Sequence, residues 1–305
     1  MIINFGSINV DFVFELAEMP QPGQTLLAKN MRTEAGGKGA NQAIAAARDG
    51  ADVMMVGAVG DDALSEIGLS QLKDVADITR VSRLAQPTGC ASIYIDMAGR
   101  NMIAVASGAN LAASSDAVED ELLHKANIVL MQMENDIDQV EKLIRRTHAT
   151  KALSVLNLAP AFPLKAEVLS LCDLIVVNED EAEALAGWLG CDASARSLSE
   201  HLQTGILRTL GGDGAEAFVK GEGFRVDAMS IDVKDTTAAG DCFVGVLASA
   251  LDRGLSLEAA MQRASIAAGL ACSRFGSQIS IPKSPQTDSH IKSSSSQRAE
   301  ALRIS

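Results

Sequence analysis

The residues of this chain best suited to chemistry lie in one short stretch, Asp235-Thr-Thr-Ala-Ala-Gly-Asp241, which runs on into the apolar segment Val246 to Leu251. Small residues entering a helix leave backbone N–H groups without intrahelical partners, and the helix dipole adds positive potential at that end. Such a start suits a phosphate in transfer. Gly240 lets the backbone approach an anion closely, and Asp241 stands where a carboxylate can take a proton from an incoming hydroxyl. A simple N-terminal helix cap would put the same acid at the same place, so this stretch alone leaves Asp241 as either a base or a cap.

A second group is Gly36-Gly-Lys-Gly-Ala-Asn-Gln-Ala43. Paired glycines before a helix make a hinge or close-packed loop, while Lys38 and Asn41 supply a cation and an amide for polyol oxygens. The spacing is neither that of a P-loop nor Gly-x-Gly-x-x-Gly, so a dinucleotide site is not expected. Asn9 and Asp11, two positions apart in an extended stretch, share a face on which an amide and a carboxylate can together grip vicinal hydroxyls. A turn-forming pair would look the same.

The elements that must position these groups follow an alternating pattern. Ile2 to Asp11 reads as a buried strand ending in a polar loop, Lys38 to Arg48 as a helix closed by Gly50, and Val53 to Val59 as a strand. Ala63 to Lys73 and Asp136 to His148 read as helices, and Ile128 to Met133, Leu153 to Leu158, Leu174 to Val177 and Ile206 to Leu210 as strands. Strands alternating with helices imply an α/β fold with a mostly parallel sheet covered by helices on both faces. Two segments break the rhythm, about 12–33 and 89–106, the second a hairpin around Ala98-Gly-Arg-Asn101. Extended pieces inserted between βα units predict a small β-sheet lid over the strand ends where ligands of open α/β sheets bind. Residues 1–282 are thus expected to form one α/β domain with a discontinuous lid, and 283–305, with Ser293-Ser-Ser-Ser296, a mobile tail.

A net charge of −13 argues against nucleic-acid and anionic-membrane partners, so a phosphate-bearing ligand must be held locally. No apolar run reaches the roughly 18 to 20 residues a membrane span needs, and no basic leader precedes the first strand, so a cytoplasmic protein is expected. Five widely spaced cysteines without a Cys-x-x-Cys pair, and four scattered histidines, predict neither a disulfide framework nor a zinc site.

Together, in this order, the Gly36 to Asn41 and Asp235 to Asp241 motifs resemble the N- and C-terminal signatures of the ribokinase-like family of carbohydrate kinases, also called the phosphofructokinase B type. Weaker similarity runs from Ile2 to Pro282, strongest to the ribokinase branch. The resemblance implies ATP-dependent phosphorylation of a sugar, with ribose the leading substrate and Mg²⁺ and K⁺ as ions. It makes Asp241 the general base and the amides of Ala238, Ala239 and Gly240 the anion hole. Asn9, Asp11, Gly37, Lys38, Asn41 and Glu134 match sugar-contacting positions. Asn178-Glu-Asp-Glu181 matches a motif near the phosphates, placing Glu181 in the magnesium region, and Thr209, Gly211 and Gly214 match nucleotide contacts. Asp235, Thr237, Ala271, Arg274, Gly276 and Ser280 match a potassium site, several of them through carbonyl oxygens.

Two departures stand out: Cys242 follows the base where Thr is common, and the Ser-rich end differs from the family's final helix. Other sugars and nucleosides are substrates within the family; a nucleoside would need an apolar or aromatic slot for its base, for which this aromatic-poor chain offers few candidates, Phe12, Phe14 and Tyr94. An inactive sugar-binding scaffold is the reading from another class, against which Asp241 and Glu181 speak. A homodimer through an apolar lid face of Phe12, Val13, Phe14, Ile93, Tyr94 and Ile95 is expected.

Overall fold

In the computed structural model, which describes residues 1–292, the chain builds two sheets. Strands β1 (Ile2–Phe5), β2 (Asn9–Glu15) and β3 (Asn30–Gly36) precede helix α1 (Lys38–Arg48), and β4 (Val53–Gly60), α2 (Ala63–Gly68) and β5 (Asp77–Leu84) follow. Next come the hairpin β6 (Gly89–Ile95) and β7 (Asn101–Ala106), then α3 (Asp120–Lys125), β8 (Ile128–Gln132), α4 (Ile137–His148) and β9 (Leu153–Asn157). Helix α5 (Ala166–Leu169), β10 (Leu174–Val177), α6 (Glu179–Leu189), α7 (Ala195–Leu202) and β11 (Gly205–Thr209) continue the alternation. The pair β12 (Ala215–Val219) and β13 (Glu222–Val226) leads to the long helices α8 (Ala239–Asp252) and α9 (Leu257–Cys272).

The larger sheet has nine strands in the order β13-β12-β11-β10-β9-β8-β1-β4-β5. Pairing is parallel from β5 to β11, and only the β12 and β13 edge runs antiparallel. Its central strands are apolar on both sides, as burial between two helical layers requires. One core lies under α1, α8 and α9, through residues such as Ala43, Val246 and Ala264; the other lies under α4, α6 and α7, through Leu143, Leu185 and Leu198. Helix α4 shows how local sequence sets its element: the Asp136 carboxylate caps Gln139 N–H, and Val140, Leu143, Ile144 and Thr147 recur on the buried face.

The smaller sheet, in the order β3-β2-β6-β7, is the lid. Its first two strands, β2 and β3, begin at Asn9 and end at Gly36, wider than the expected 12–33, and no strand lies between Leu16 and Lys29. Alternation along β2 and β6 also divides the expected apolar lid face. Val13, Ile93 and Ile95 share the side of Asn9 and Asp11, whereas Phe12, Phe14 and Tyr94 project from the other side, with Phe14 and Tyr94 stacked at 5.5 Å. The opening stretch is likewise two strands, because the chain leaves the large sheet after Phe5 and enters the lid at Asn9. Ala63 to Lys73 is not one helix: α2 ends at Gly68 and a separate 3₁₀ turn follows at Leu72–Asp74. Strand β5 and the β12–β13 hairpin were not anticipated.

The region assigned to a mobile tail is structured in its described part. Residues 284–292 are helical, and Arg263 holds them through Asp288 (2.6 Å) and Ser284 Oγ (2.7 Å), with Thr287 buried. The buried guanidinium of Arg263 also pairs with Asp49 (2.7 Å), and the groups from 284–288 take up its remaining donors. Residues 293–305, including the serine run, lie outside the described residues. Among the described residues no helix is long and apolar enough to cross a membrane.

Helices α1 and α8 meet at Gly245, where a Cβ would stand 2.3 Å from the Gln42 carbonyl oxygen and 2.6 Å from Ala45 Cβ. Gly245→Ala is expected to cost about 1–3 kcal/mol by overpacking, read as a lower Tm. It is also expected to lower kcat, because α1 must move away from the start of α8.

Candidate active site

Helix α8 begins on Ala238, which adopts a left-handed conformation (φ 58°) and offers no side-chain cap. Of the first-turn N–H groups, that of Ala239 donates to Thr236 O at 3.2 Å. Gly240 faces open space, since a Cβ there would meet nothing within 4 Å. Asp241 is only 8 % exposed, yet its carboxylate does not cap its own helix. It reaches across to α1, accepting from Asn41 Nδ2 on Oδ2 (2.9 Å) and from Gln42 Nε2 on Oδ1 (2.9 Å). The cap alternative left open by the sequence therefore falls. Asp241 borders a cleft of about 250 Å³ that it shares with Lys38, Asn178, Glu181, Thr236 and Gly240.

On the lid side of that cleft, Asn9 and Asp11 point from the same face of β2. Their cross-strand neighbours Gly36 and Gly89 leave them room: a Cβ at either would stand about 2 Å from the Asp11 carboxylate or the Asn9 amide oxygen, at 2.1 and 2.2 Å respectively. Gly37, with φ 92°, turns the chain from β3 into α1 and brings Lys38 N–H to Glu134 Oε2 (3.2 Å). The same oxygen accepts from Ser7 Oγ (2.5 Å) and Asn9 Nδ2 (3.5 Å). Asp11 has no hydrogen-bond donor among the described residues, and burial, with Glu134, Glu34 and Asp241 nearby, pushes its pKa up to about 7. Lys38 responds to the same field. Desolvation pulls its ammonium down, but the carboxylates of Asp241, Glu134 and Glu181 outweigh that and hold it above the usual lysine range.

Asn178 and Glu181 form a capping box at the start of α6: Asn178 Oδ1 accepts from Glu181 N–H and Glu181 Oε2 accepts from Asn178 N–H, each at 2.8 Å. Both also line the cleft, and burial raises the Glu181 carboxyl above its usual range. Thr209, Gly211 and Gly214 border a second cavity of about 270 Å³, whose walls include the apolar Met229, Ile231 and Phe243. The two cavities share Thr236, Ala239 and Gly240, so an apolar slot opens onto the α8 N-terminus.

Asp235 joins two loops. Its carboxylate accepts from Thr237 N–H (2.9 Å) and Gly276 N–H (3.0 Å), and although burial opposes it, these bonds hold the group below the usual carboxylate range. The same region contains the Ala271 carbonyl, which accepts from Arg274 N–H (3.1 Å), and Ser280, whose hydroxyl donates to Ser277 O (2.8 Å).

Residues 1–284 match the model of the pfkB family carbohydrate kinases. The chain belongs to this family. It is accordingly an ATP-dependent sugar phosphotransferase. It is 35 % identical over 291 residues to the ribokinase of Haemophilus influenzae, spanning 92 % of this chain and 95 % of that one. The crystal structure of Thermotoga maritima ribokinase superposes with a TM-score of 0.88 at 29 % identity, covering 95 % of this chain and 99 % of the other. The Arabidopsis thaliana ribokinase complexed with ribose and ATP gives 0.84 at 29 %, covering 94 % and 96 %.

Within this family kinase Lys38 and Asp241 line the cleft, Glu134 joins Asn9 to the Lys38 N–H beside Gly37, Asn41 donates to Asp241, and the Asp11 carboxyl lies in the field of Glu134 and Asp241. It also adds groups that sequence reasoning passed over. Ser7 holds Glu134, and Asn110 pairs with both backbone groups of Ile8 while donating to Asn9 Oδ1 (2.7 Å). Gln278 donates to Asn41 Oδ1 (3.1 Å) and Gln42 to Asp241. For Gln42 a signal existed, a long amide inside the Ala-rich run from Gly39 to Ala47. Asn110, in a 3₁₀ turn at Gly108–Ala112, and Gln278, in a turn after α9, lie in sequence that carries no comparable mark.

Proposed function

We propose that this kinase transfers the γ-phosphoryl group of ATP to the primary hydroxyl of a pentose, ribose being converted to ribose 5-phosphate. The observation that carries the reading is Asp11: a largely buried carboxylate without a protein donor, near Glu134 and Asp241 and on the same face of β2 as Asn9, is open to donation from sugar hydroxyls. Similarity to a ribokinase complexed with ribose and ATP supports the same substrates. The aromatic candidates for a nucleoside's base slot, Phe12, Phe14 and Tyr94, face away from Asn9 and Asp11, which leaves only the aliphatic Val13, Ile93 and Ile95 on the lid's inner side for a base.

In this scheme the sugar lies against Asn9, Asp11, Gly37, Lys38, Asn41 and Glu134, and the adenine occupies the apolar slot by Thr209, Gly211 and Gly214. Asp241 accepts the proton of the attacking hydroxyl. The N–H groups at the Ala238–Ala239–Gly240 turn, of which that of Ala239 must leave Thr236 O to join, and the α8 dipole stabilise charge on the transferring group. Lys38 adds a positive charge, and Asn178 fixes Glu181. Closure of the lid excludes water, which otherwise competes as acceptor.

Among the described residues no cluster of three or more acidic, His or Cys side chains is poised to hold a metal. That fits Mg²⁺, which binds through one or two carboxylates plus phosphates and water; Glu181 would be the protein's contribution, and the ion would neutralise phosphate charge. For K⁺, the donor set of Asp235, Thr237, Ala271, Arg274, Gly276 and Ser280 is rich in carbonyl oxygens, as a weakly hydrated cation requires. The Asp235–Gly276 bond already joins its two loops. There the ion would stabilise the loop that leads into the anion hole.

We read residues 1–292 as one kinase unit with its lid, working in the cytoplasm. Met31 and Met102 are exposed on the Phe14 and Tyr94 side of the lid and would pair in a homodimer, which the mass in solution at micromolar concentration checks. The deciding assay is ATP turnover against ribose, 2-deoxyribose, fructose, 2-keto-3-deoxygluconate and nucleosides, with and without potassium. Ribose is expected to give the highest kcat/KM, raised further by potassium; a nucleoside turned over at least as well would overturn the assignment.

A further inference from the structure

Behind the cleft, buried amide side chains are joined end to end from Asn4 through Gln132 and Gln42 to Asn157. Asn4 Nδ2 donates to the Gly39 carbonyl (2.6 Å), which leaves Asn4 Oδ1 as acceptor for Gln132 Nε2 (2.9 Å). The other hydrogen of Gln132 Nε2 goes to Gln42 Oε1 (2.7 Å). Gln42 Nε2 is thereby turned outward, with one hydrogen on Asn157 Oδ1 (2.8 Å) and one on Asp241 Oδ1 (2.9 Å). Asn157 is oriented from its far side, since its Nδ2 donates to the Val176 carbonyl (3.2 Å). Backbone carbonyls at both ends dictate the direction of every amide between them. Reversing any one would set donor against donor or oxygen against oxygen.

The array is not the cheapest way to fill this space. Gln132 Oε1 is buried without a partner, a destabilising defect that an apolar side chain of the same length would not carry. What the amides deliver instead is a directed donor at Asp241. With Asn41 on Oδ2 and Gln42 on Oδ1, rotation of the carboxylate about its Cβ–Cγ bond is blocked.

We propose that Gln42 is a positioning residue for Asp241, kept in its donating orientation by Gln132 and Asn4. The inference rests on the reading of Asp241 as the general base. Gln42→Met is expected to lower kcat about 10- to 100-fold, the scale of a small misplacement of a reacting group, with sugar KM changed by less than about threefold. Gln132→Glu is expected to lose more kcat than Gln132→Met at pH 8.5. Its carboxylate cannot donate to Gln42 Oε1 and turns that amide around, whereas Met leaves the amide its Asn157 and Asp241 acceptors. In the Asp241→Asn background, Gln42→Met is expected to change kcat by less than about threefold.

A purely structural role predicts otherwise: Tm would fall in these variants while kcat per folded molecule stayed within about threefold of the parent. That result, or Gln132→Met losing as much kcat as Gln132→Glu, would overturn the proposal. Should Gln42→Met fail to fold, the ranking of the two Gln132 variants decides. Near-normal turnover by Asp241→Asn alone would remove the base itself; collapse of that variant beside an unaffected Gln42→Met would remove only the positioning role.

Discussion

Asp241→Asn is expected to lower kcat by roughly 10² to 10⁴ while the sugar KM changes by less than about threefold, the pattern of losing a general base. Asn preserves the size of the side chain and removes its ability to take a proton. The structure adds a second consequence. Both carboxylate oxygens accept from amide N–H groups of α1, so the nitrogen that replaces one of them would face a donor from Asn41 or Gln42. One of those donors is then left unpaired in a site that is 8 % exposed, which costs about 1–3 kcal/mol. Steady-state kinetics alongside a melting curve separate the two effects, because the chemical loss persists at temperatures where the variant is fully folded. Retention of more than about a tenth of kcat would mean that the hydroxyl is deprotonated by another group.

The second large effect concerns Asp11 and pH. Burial without a donor, reinforced by Glu134, Glu34 and Asp241, raises this carboxyl to about 7. A carboxylate accepts from sugar hydroxyls better than a carboxylic acid does, so the sugar KM is expected to rise as pH falls from about 8 through 7 to 6, with about half a proton released per sugar bound near pH 7. Asp11→Ala should raise KM by about 10²-fold, the worth of charged hydrogen bonds, and should flatten the pH dependence over this interval. Stability runs in the opposite direction. A raised folded-state pKa favours the folded protein fully below the unfolded value of 3.8, and the advantage is lost as pH rises through about 7. Asp11→Asn is therefore expected to raise Tm of the sugar-free protein at about pH 8 more than at about pH 5. A sugar KM that is flat between about pH 6 and 8 in the parent would show that Asp11 does not titrate in this range.

Much of this site is legible in the chain because its signals are local. The helix start at Asp241 depends on a run of small residues, and the glycines before α1 depend on a tight turn, marked by φ 92° at Gly37. The pairing of Asn9 with Asp11 needs only the two-residue period of a strand. The alternation of strands and helices likewise follows from periodicity, which is why the parallel sheet and the lid hairpin were expected. Errors arose where local pattern is shared by different structures. Phe12, Val13 and Phe14 look like one apolar patch in sequence, but the strand sends them to opposite sides. The region after Pro282 looks polar and unpatterned, yet Arg263 from α9 anchors it through Ser284 and Asp288.

The reaction class was readable from the chain through the resemblance of its two glycine-bearing motifs to the carbohydrate kinases, while side-chain type and spacing by themselves offered candidates for a base, an anion-binding helix start and a polyol grip. Whether Asp241 is a cap or a base, and what holds it, depended on the folded molecule. Its partners Asn41 and Gln42 lie 200 and 199 residues earlier in the chain, and they reach it because α1 and α8 can touch at Gly245. No local rule encodes such a contact: helix packing sets the distance, and amides anchored on Gly39 and Val176 carbonyls set the direction of the donors.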